Sequence, residues 1–483
     1  MTAFAVFRCD ASPEIGGGHV MRCLAFADAL ASVGWSIGFV TRRESIAVAP
    51  ALAASGHAIV EADGNGALQV GDRASLVVVD HYGLDAAFES AVRQPGRTVV
   101  VIDDLADRPH DCDILVDPTP GRAPADYADK RARQLLLGGQ HAIIRQVWQA
   151  QRMKAVARLA AGGAVRHIVV SMGATDPTNA TSRVLTALAA SKLDADVDVV
   201  LGAGAVHLES VRKLAGLRVT LHVSPGNLPE LMAAADLAIG APGTSSFERA
   251  LLGLPSILIP NADNQRFNAA AFTASGAGEV LPAAILDQPA ALAAKIEALA
   301  ADGARRAAMS RAAAAMTDGR GAQRLLAAIA GCTRASGGGE IALRLAEPND
   351  SDWLLELQRM PQTRRFARQA AVPSATEHAR WMEATLANPD RLLMIVVSGG
   401  KPLGMLRLDR VHGDVPAYEI SIAINPVWHR HGIGLATLTL ARQLAPGADL
   451  LATVLSGNDA SVALFKAAGY RPEGPERLRS RAA

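Results

Sequence analysis

The chain has few cysteines, almost no net charge and no long hydrophobic run, and each absence excludes a class of protein. Its 483 residues include only four cysteines, which are widely spaced and form no Cys-x-x-Cys pair. This number argues against a disulfide framework and against a zinc site, and it is typical of a reducing compartment. The formal net charge of +1 gives no field that would attract nucleic acid or an anionic membrane.

Hydrophobic segments such as 76–79 are too short to cross a bilayer, and the N-terminus lacks the basic start and long apolar stretch of a signal peptide. We therefore expect a soluble, cytoplasmic protein without membrane or nucleic-acid partners. Half of the residues are hydrophobic and a fifth are charged, which is typical of a globular chain. A length of 483 residues predicts about three packing units.

Short β-branched runs alternate with Ala/Leu-rich helical stretches through the first 330 residues, in two successive series. The predicted strands are 3–9, 37–41, 76–80, 98–102 and 114–116 in the first series, and 168–172, 197–201, 219–223, 237–239 and 257–259 in the second. Continuous apolar strands separated by helices are typical of parallel sheets covered on both faces. Each series therefore predicts a doubly wound, Rossmann-like α/β lobe, and the pair predicts a cleft at the carboxyl ends of the strands.

The composition changes after residue 330. Residues 332–340 are small and polar, which predicts an exposed interdomain linker. The rest of the chain alternates strands and helices over about 140 residues, the size of one domain. We predict an N-terminal lobe over 1–155, a second lobe over 156–331, the linker over 332–340 and a mixed α/β domain over 341–483.

A glycine-rich loop precedes a predicted helix in the first lobe. Gly16, Gly17 and Gly18 are followed by His19 and then by apolar residues at helical spacing. Glycines let the backbone approach a ligand closely, and the free N–H groups at a helix start favour an anion. The same partial positive charge disfavours an imidazolium, so we expect His19 to be neutral and available as a base. The alternative is an ordinary helix N-terminal turn with an exposed histidine.

Ordered motifs over residues 3–330 resemble the UDP-sugar hydrolase family of pseudaminic acid (nonulosonate) biosynthesis. The matching segments are Arg8-x-Asp10, Gly16–Val20, Arg22-Cys23, Asp80-His81-Tyr82, Ile102–Ala106, Asp117-Pro118-Thr119 and Ser171–Pro177. The resemblance implies two lobes of the GT-B type, as in MurG-type glycosyltransferases. It also implies that His19 activates water for attack at the anomeric carbon of UDP-2,4-diacetamido-2,4,6-trideoxy-β-L-altropyranose. His141 stands where the family usually has a tyrosine, so the accepted sugar stays open.

A loop of small residues leads from a predicted strand into a helix of the second lobe. The backbone and hydroxyl groups of Gly243–Ser246 predict a pyrophosphate site that needs no metal. The family resemblance implies that Glu248 accepts both ribose hydroxyls and that Asn264 binds sugar or phosphate. The predicted substrate contacts of the two lobes are Gly17, Gly18, Arg8, Asp10, Tyr82, Arg145, Gly243, Thr244, Ser245, Ser246, Glu248 and Asn264. The alternative is a loop that only caps its helix.

Polar residues also follow other predicted strands of the first lobe. Asp80, His81, Asp103 and Asp104 lie where ligands bind in such sheets, so they are candidates for contacts with sugar hydroxyl or amide groups. Aspartates at strand ends are equally typical turn and helix-cap residues. Both interpretations stay open at this point.

A second glycine loop lies in the C-terminal domain, after the predicted strand 418–424. The segment His429–Gly434 resembles the Arg/Gln-x-x-Gly-x-Gly/Ala loop of GNAT N-acetyltransferases, and 460–470 resembles the closing pattern of that family. The resemblance implies acetyl-CoA as cosubstrate, with its pyrophosphate held by successive backbone N–H groups. The predicted coenzyme A contacts are His429, Arg430, His431, Gly432, Ile433, Gly434, Ile422 and Asn458.

The C-terminal domain departs from the GNAT pattern at a position that is catalytic in many of these enzymes. Phe465 stands where many of these enzymes have a tyrosine that protonates the departing thiolate. A phenyl ring cannot donate a proton, so the general acid must be another group or water. Glu419 is the candidate to take the amine proton; the alternative is an ordinary strand-end charge.

Together the two resemblances predict a bifunctional enzyme without a metal. The C-terminal domain would N-acetylate the 4-amino group of a UDP-linked sugar, and the lobes would hydrolyse the product to UDP and the free sugar, with His19 and Glu419 as the catalytic residues. One alternative is a MurG-like UDP-sugar glycosyltransferase. Another is a GNAT domain that only binds acetyl-CoA as a sensor or scaffold.

Overall fold

The computed structural model describes residues 3–62, 71, 73–128, 131–216 and 218–482. The chain forms two compact units. Ala5–Ala27 and Ile37–Ala322 make up one unit, and the other consists mainly of the chain from Gln323 onward, grouped with Asp28–Ser36. In the residues that the structure describes, no helix combines the length and the apolar character needed to cross a membrane.

The first lobe is built on a seven-stranded sheet in the order β3-β2-β1-β4-β5-β6-β7. Its strands are β1 Phe4–Cys9, β2 Ser36–Thr41, β3 Ala58–Glu61, β4 Leu76–Asp80, β5 Thr98–Ile102, β6 Asp111–Asp117 and β7 Arg131–Leu137. Its helices are α1 Gly18–Ser32, α2 Arg43–Val48, α3 Ala51–Ala54 and α4 Ala86–Ala91. The strand order reverses beside β1, where β1 and β4 run parallel with Cys9 opposite Asp80. The loops that follow these two residues therefore lie side by side, at the place where doubly wound sheets bind ligands.

The second lobe repeats this plan with a six-stranded parallel sheet in the order β10-β9-β8-β11-β12-β13. Its strands are β8 His167–Ser171, β9 Asp196–Leu201, β10 Val219–Val223, β11 Leu237–Gly240, β12 Ser256–Leu258 and β13 Glu279–Val280. The helices from α5 onward are α5 Gln149–Leu159, α6 Ala180–Ala190, α7 Leu208–Arg212, α8 Leu228–Ala234, α9 Ser245–Leu251, α10 Arg266–Ser275, α11 Pro289–Ala301, α12 Gly303–Met316 and α13 Gly321–Ala330. The order reverses between β8 and β11, so the loop after Gly240 lies at this lobe's switch point.

The two predicted parallel sheets are confirmed, and the strands that the sequence failed to predict are mainly edge strands. In β3 and β7 most residues are exposed or half-buried, whereas all five residues of β4 are buried. An edge strand has one unpaired side and needs no continuous apolar run. The apolar signal used for the prediction is therefore weak in these two segments.

The C-terminal domain is a mixed sheet in the order β14-β15-β16-β17-β18-β19-β21-β20. Its strands are β14 Cys332–Arg334, β15 Glu340–Leu345, β16 Arg391–Ser398, β17 Lys401–Val411, β18 Ala417–Ile424, β19 Asp449–Thr453, β20 Arg471–Pro472 and β21 Arg477–Ser480. Its helices are α14 Ser351–Arg359, α15 Pro361–Arg364, α16 Ala375–Ala387, α17 Ile433–Leu444 and α18 Asp459–Ala467. The pair β18–β19 is parallel and ends at Ile420 and Ala452, although β18 continues to pair with β17 up to Ile424. The last residues of β18 therefore face an opening in the sheet.

The segment 332–340, predicted as an exposed linker, is a β-hairpin. Strand β14 pairs antiparallel with the first residues of β15. Ala335 and Gly339 close the turn with a backbone hydrogen bond of 2.9 Å, and Gly338 has a left-handed φ of +94°. The small residues that suggested a linker are those that a tight turn requires. We call residues 332–340 the junction hairpin.

Candidate active sites

His19 is the second residue of α1, and its ring is held by a buried carboxylate. Nδ1 contacts Asp80, which ends β4 and is completely buried. Burial raises the pKa of the Asp80 carboxyl, but Arg22 and His19 lower it more, so that its pKa lies well below its usual value. An ionised carboxylate only accepts hydrogen bonds, so this contact favours the tautomer in which Nδ1 carries the proton and Nε2 the lone pair. Among the described residues Nε2 has no hydrogen-bond partner.

Arg22 completes this arrangement, although the sequence analysis assigned it no role in the site. It lies one helical turn after His19, and its Nε and Nη2 donate to Asp80 over 2.5 and 2.7 Å. Its Nη1 donates to Asp104 over 2.8 Å. The i, i+3 spacing on α1 places both side chains on one face of the helix, which is the signal that could have identified Arg22. Asp80 therefore orients the histidine. This role differs from the two that the sequence left open, which were a contact with the sugar and a turn or helix cap.

Asp103 and Asp104, which follow β5, differ in their hydrogen-bond partners. Asp103 is completely buried and accepts from Arg108 over 2.8 Å and from the Ala106 N–H over 2.9 Å, as a turn-stabilising residue does. Asp104 accepts from Arg22. Of the pair, only Asp104 is thus connected to His19, through Arg22 and Asp80.

Arg8 and Asp10, predicted as substrate contacts, lie beneath the glycine loop. Arg8 is completely buried and donates to Asp10 through two hydrogen bonds of 2.6 and 3.0 Å. The Asp10 carboxylate also accepts from the Arg42 N–H over 2.9 Å and lies 3.1 Å from His81 Nε2. A completely buried guanidinium cannot touch a ligand in this conformation. Its contacts instead fix the start of the loop that leads to His19.

The loop of the second lobe approaches the glycine loop of the first. A Cβ on Gly18 would lie 2.5 Å from Thr244 Oγ1, so only glycine permits this approach. Gly17 lies at the start of α1, where its carbonyl accepts from the Met21 N–H over 3.0 Å. Apart from its chain neighbours, no described residue has an atom within 4 Å of the position of a Cβ on Gly243. The open face at Gly243 and the contact at Thr244 agree with a ligand loop between the lobes.

Ser245 and Ser246 have different surroundings in this loop. Ser246 is buried and its hydroxyl donates to the Gly243 carbonyl over 2.6 Å, so this hydroxyl stabilises the loop. Ser245 Oγ accepts from Arg249 over 3.3 Å. Of the three predicted hydroxyl contacts, Thr244 and Ser245 therefore remain partly exposed, whereas Ser246 does not.

Arg249 provides a buried positive charge beneath the loop, which the sequence analysis missed. It is 1% exposed, and Nη2 donates to the Ala241 carbonyl over 2.6 Å. Burial lowers the pKa of Arg249 to about 10, so the side chain is still protonated at neutral pH. A positive charge in this position favours an anion on the loop above it.

Glu248, the residue before Arg249, is partly buried and accepts no hydrogen bond from the described residues. Burial raises the pKa of its carboxyl to about 7, against the opposing charges of Arg249 and Arg145. Arg145, predicted as a substrate contact, thus lies close to Glu248. A carboxylate without donors fits the predicted role as acceptor for two ribose hydroxyls.

The affinity for UDP is expected to rise between about pH 6 and 8 through the ionisation of Glu248, because an ionised carboxylate accepts hydroxyl hydrogen bonds more strongly than a neutral carboxyl. Calorimetric titration of UDP across this range measures the change. Glu248→Gln is the matched control, since it retains the shape but cannot titrate. The phosphate groups of UDP also ionise near pH 6 and contribute equally in both proteins. Equal pH slopes for the two proteins would refute this role of Glu248.

Asn264 connects the second lobe to the histidine through Tyr82. Its Nδ2 donates to the Tyr82 hydroxyl over 3.2 Å, and the Tyr82 ring meets the His19 ring edge-to-face at 4.4 Å. Asn264 Oδ1 is buried and has no hydrogen-bond partner among the described residues. Such an oxygen costs about 1–3 kcal/mol when it is left unpaired. It is therefore a suitable acceptor for a water or a sugar group beside His19.

The loop before α17 has the backbone conformation of an anion site. Arg430 and Gly432 have left-handed φ values of +64° and +76°. Gly432 precedes α17 as its N-cap residue and provides no side-chain cap, so the first N–H groups of this twelve-residue helix stay available. Left-handed residues within a turn direct successive N–H groups to one side. Ile433, the first helical residue, contributes the next donor, and the site fits a diphosphate such as that of coenzyme A.

The predicted side-chain contacts of this site mainly hold the protein itself. His429 Nε2 lies 3.0 Å from the Ile424 carbonyl, and His431 Nδ1 lies 2.9 Å from the His429 carbonyl. Asn458 caps α18 by accepting from the Ser461 N–H over 3.2 Å. These three side chains are engaged within the domain, which leaves backbone N–H groups and the exposed Arg430 side chain as the predicted donors to a ligand.

Two further predicted coenzyme contacts have distinct surroundings. A Cβ on Gly434 would lie 3.0 Å from Leu464, so this glycine also permits the close packing of α17 on α18. Ile422 lies in the part of β18 that β19 does not pair with. Its backbone can therefore accept an extended chain in the opening of the sheet.

Glu419 and Phe465 are the catalytic positions considered for acetyl transfer. One oxygen of Glu419 accepts from Thr453 over 2.9 Å and from Arg368, and the other oxygen has no partner among the described residues. Phe465 is buried and packs edge-to-face on Tyr470 at 5.0 Å. The Tyr470 hydroxyl is buried without a hydrogen-bond partner in the described part of the chain, and burial raises its pKa.

In the described part of the chain no group of three or more His, Cys, Asp or Glu side chains could hold a metal ion.

Comparison with protein families identifies two domains. Residues 167–325 match the glycosyltransferase family 28 C-terminal domain, and residues 340–471 match the acetyltransferase (GNAT) domain. The chain therefore combines a lobe of the family 28 type with a GNAT domain, which agrees with the parallel sheet of the second lobe and the opened mixed sheet. The predicted fold class, α/β with two Rossmann-like lobes followed by a GNAT domain, is confirmed.

Three curated relatives match parts of the chain. An uncharacterized protein of Methanocaldococcus jannaschii is 24% identical over 270 residues, 53% of this chain and 55% of its own length. An N-acetylglucosamine transferase acting on N-acetylmuramyl-(pentapeptide) pyrophosphoryl-undecaprenol, from Exiguobacterium sp., is 34% identical over 119 residues, 23% of this chain and 33% of its own length. The UDP-2,4-diacetamido-2,4,6-trideoxy-beta-L-altropyranose hydrolase of Campylobacter jejuni is 23% identical over 235 residues, 47% of this chain and 80% of its own length. The chain thus spans 55% and 33% of the lengths of the first two relatives.

Solved structures resemble the two parts separately. Acinetobacter baumannii MurG covers 67% of this chain and 98% of its own, at 17% identity and a TM-score of 0.48. Mycobacterium smegmatis RimJ in complex with CoA-disulfide covers 31% of this chain and 84% of its own, at 19% identity and a TM-score of 0.28.

Proposed function

We propose that the chain carries two active sites that act in sequence on one UDP-linked sugar. The GNAT domain transfers an acetyl group to the 4-amino group of the sugar, and the two lobes then hydrolyse the product, UDP-2,4-diacetamido-2,4,6-trideoxy-β-L-altropyranose, to UDP and the free sugar. The observation that carries the hydrolytic assignment is the pairing of His19 with Asp80, because it leaves an unprotonated Nε2 at the start of α1. The product would enter pseudaminic acid biosynthesis.

In the hydrolytic site His19 Nε2 takes a proton from water, and the water oxygen forms a bond with the anomeric carbon as the bond from that carbon to UDP breaks. The imidazolium that forms is stabilised by the buried Asp80 carboxylate. UDP leaves with the electron pair of the broken bond, and its negative charge is met by the N–H groups of Gly243, Thr244 and Ser245 and by Arg249 beneath them. Unlike the transfer of a sugar, this reaction needs no second acceptor.

In the transfer site bound acetyl-CoA supplies an activated thioester. The backbone around Gly432 holds the diphosphate of the cosubstrate, and the unpaired edge at Ile422 lines its extended arm. The free oxygen of Glu419 takes the proton that the attacking amine loses, while Thr453 and Arg368 fix the other oxygen. Phe465 donates no proton, so the departing thiolate takes its proton from water.

The Campylobacter jejuni hydrolase supports the choice of substrate, since its similarity spans 80% of that protein. A glycosyltransferase is the second candidate for the two lobes. It is favoured by the family 28 match over 167–325 and by the 34% identity with the Exiguobacterium transferase. A third candidate, a GNAT domain that binds acetyl-CoA without turnover, is favoured by the buried phenyl ring of Phe465.

The test is to incubate the purified protein with acetyl-CoA and the UDP-linked 4-amino sugar and to follow thiol and UDP release together. We expect both products without any added acceptor, and UDP release that depends on acetyl-CoA. Thiol without UDP would refute the hydrolase and favour a glycosyltransferase. UDP without thiol would refute acetyl transfer and favour a domain that only binds acetyl-CoA, and the absence of both would refute the substrate.

A further inference from the structure

The junction hairpin is hydrogen-bonded to the coenzyme A loop. The Gly337 N–H donates to the His431 carbonyl over 3.0 Å. Gly337 is the middle residue of the turn at the end of the hairpin, whose base is fixed by the pairing of β14 with β15. The segment that precedes the GNAT match at residue 340 is therefore attached to the loop at Gly432.

This hydrogen bond fixes the direction of a predicted ligand donor. The carbonyl of His431 and the N–H of Gly432 belong to one peptide group, and in a planar trans peptide they point in opposite directions. Because the carbonyl is directed at the hairpin, the Gly432 N–H is directed away from it. Among the described residues this N–H donates no hydrogen bond, so it is available to an anion.

A close steric contact at Gly432 also fixes the position of the loop against the hairpin. A Cβ at this position would lie 2.2 Å from Ser336 Oγ and 2.7 Å from the Ser336 backbone nitrogen. The hairpin thus covers the loop so closely that only a glycine fits. A cavity of about 220 Å³ beside this contact is lined by Gly337 of the hairpin and by Trp428, Lys401 and His431. Ser336 and Gly337 thus contact the loop directly.

We propose that the junction hairpin is a positioning element of the coenzyme A site and that Gly337 is its positioning residue. The proposal rests on the proposed function of the GNAT domain as a coenzyme A site. Without the contact at Gly337, the peptide between His431 and Gly432 can rotate and withdraw one donor from the diphosphate. The segment that joins the family 28 lobe to the GNAT domain in the sequence would then be part of the cosubstrate site.

The test compares Gly337→Val in the full-length protein with Gly413→Val. A Cβ on Gly337 would lie 3.1 Å from the His431 carbonyl oxygen. In the part of the chain that the structure describes, only chain neighbours come within 4 Å of a Cβ on Gly413, in the turn between β17 and β18. Calorimetric titration with coenzyme A is expected to give a Kd about tenfold higher for Gly337→Val, and an unchanged Kd for Gly413→Val. The KM for acetyl-CoA should rise with the Kd, while kcat at saturating acetyl-CoA stays within about twofold, because the catalytic groups are untouched.

An equal Kd for coenzyme A in Gly337→Val and the wild type would overturn the proposal. If Gly337→Val loses its cooperative thermal transition, Gly337→Ala replaces it, since its smaller clash demands a shift of only a few tenths of an ångström. Binding of coenzyme A separates this inference from the proposed activity. A wild type that binds coenzyme A without acetyl transfer refutes the proposed reaction and leaves the comparison valid, whereas a wild type that does not bind coenzyme A refutes both.

Discussion

UDP release is expected to fall by about 10³-fold in His19→Ala, within the range of general-base contributions, while thiol release from acetyl-CoA stays unchanged. The alanine removes the imidazole at the start of α1 that Asp80 orients to accept a proton from water. The acetylated UDP-sugar is the substrate for this measurement, so that the first reaction is bypassed. The rate of UDP formation at pH 7.5 is compared with that of the wild type, and thiol release is measured separately with the amino sugar.

His167→Ala is the control for the loss of a histidine, because His167 is exposed at the start of β8 and belongs to neither candidate site. It should release UDP at the wild-type rate. If His19→Ala retained more than a tenth of the wild-type rate of UDP release, another group would be the base. A parallel fall in thiol release would instead indicate a general loss of folded protein.

Thiol release is expected to fall by about 100-fold in Gly432→Ala, with UDP release from the acetylated sugar unchanged. Alanine disfavours the φ of +76° at this position, and its Cβ would lie 2.2 Å from Ser336 Oγ. Relief of both conflicts moves the loop and with it the N–H groups that hold the diphosphate. A fall of this size corresponds to about 2.7 kcal/mol of lost transition-state binding. The measurement is thiol release at subsaturating acetyl-CoA.

Gly400→Ala is the control that separates backbone strain from the clash with Ser336. Gly400 has a φ of +78° in the turn between β16 and β17, and within the described ranges no residue beyond its chain neighbours has an atom within 4 Å of its Cβ position. This control carries the same left-handed strain without the clash and should keep thiol release within about twofold of the wild type. Equal losses in the two variants would mean that backbone strain, and not the position of the loop, controls the activity.

The sequence predicts the buried parts of the sheets best. The sequence predicts strand β4 with its observed bounds, because all five of its residues are buried. Four of them are apolar, and the fifth, Asp80, ends the strand. The charged edge strand β7 carries no such run and was missed. The Ala/Leu-rich stretches that predict helices through the first 330 residues include α11, α12 and α13, since alanine has high helix propensity.

The partners of the candidate site residues could be predicted less well than the residues themselves. His19 was identified from its glycine loop, but its contact with Asp80 joins residues 61 positions apart and depends on the pairing of β1 with β4. Arg8 and Ser246 have the polar groups expected of ligand contacts, yet both are buried and bonded to the protein. Residue type indicates the available chemistry, whereas only the packing shows whether a side chain can reach a ligand.

Strand β14 also protects the sheet of the GNAT domain. It is three residues long and pairs with β15, whose alternate residues Ile341, Leu343 and Leu345 are buried. A fragment cut at residue 340, where the family match begins, would leave β15 as an open edge with unpaired backbone groups. Such edges pair with other chains and aggregate, whereas a short edge strand that carries charge resists this. Arg334 in β14 supplies that charge, so we expect a fragment that includes the junction hairpin to aggregate less than one cut at residue 340.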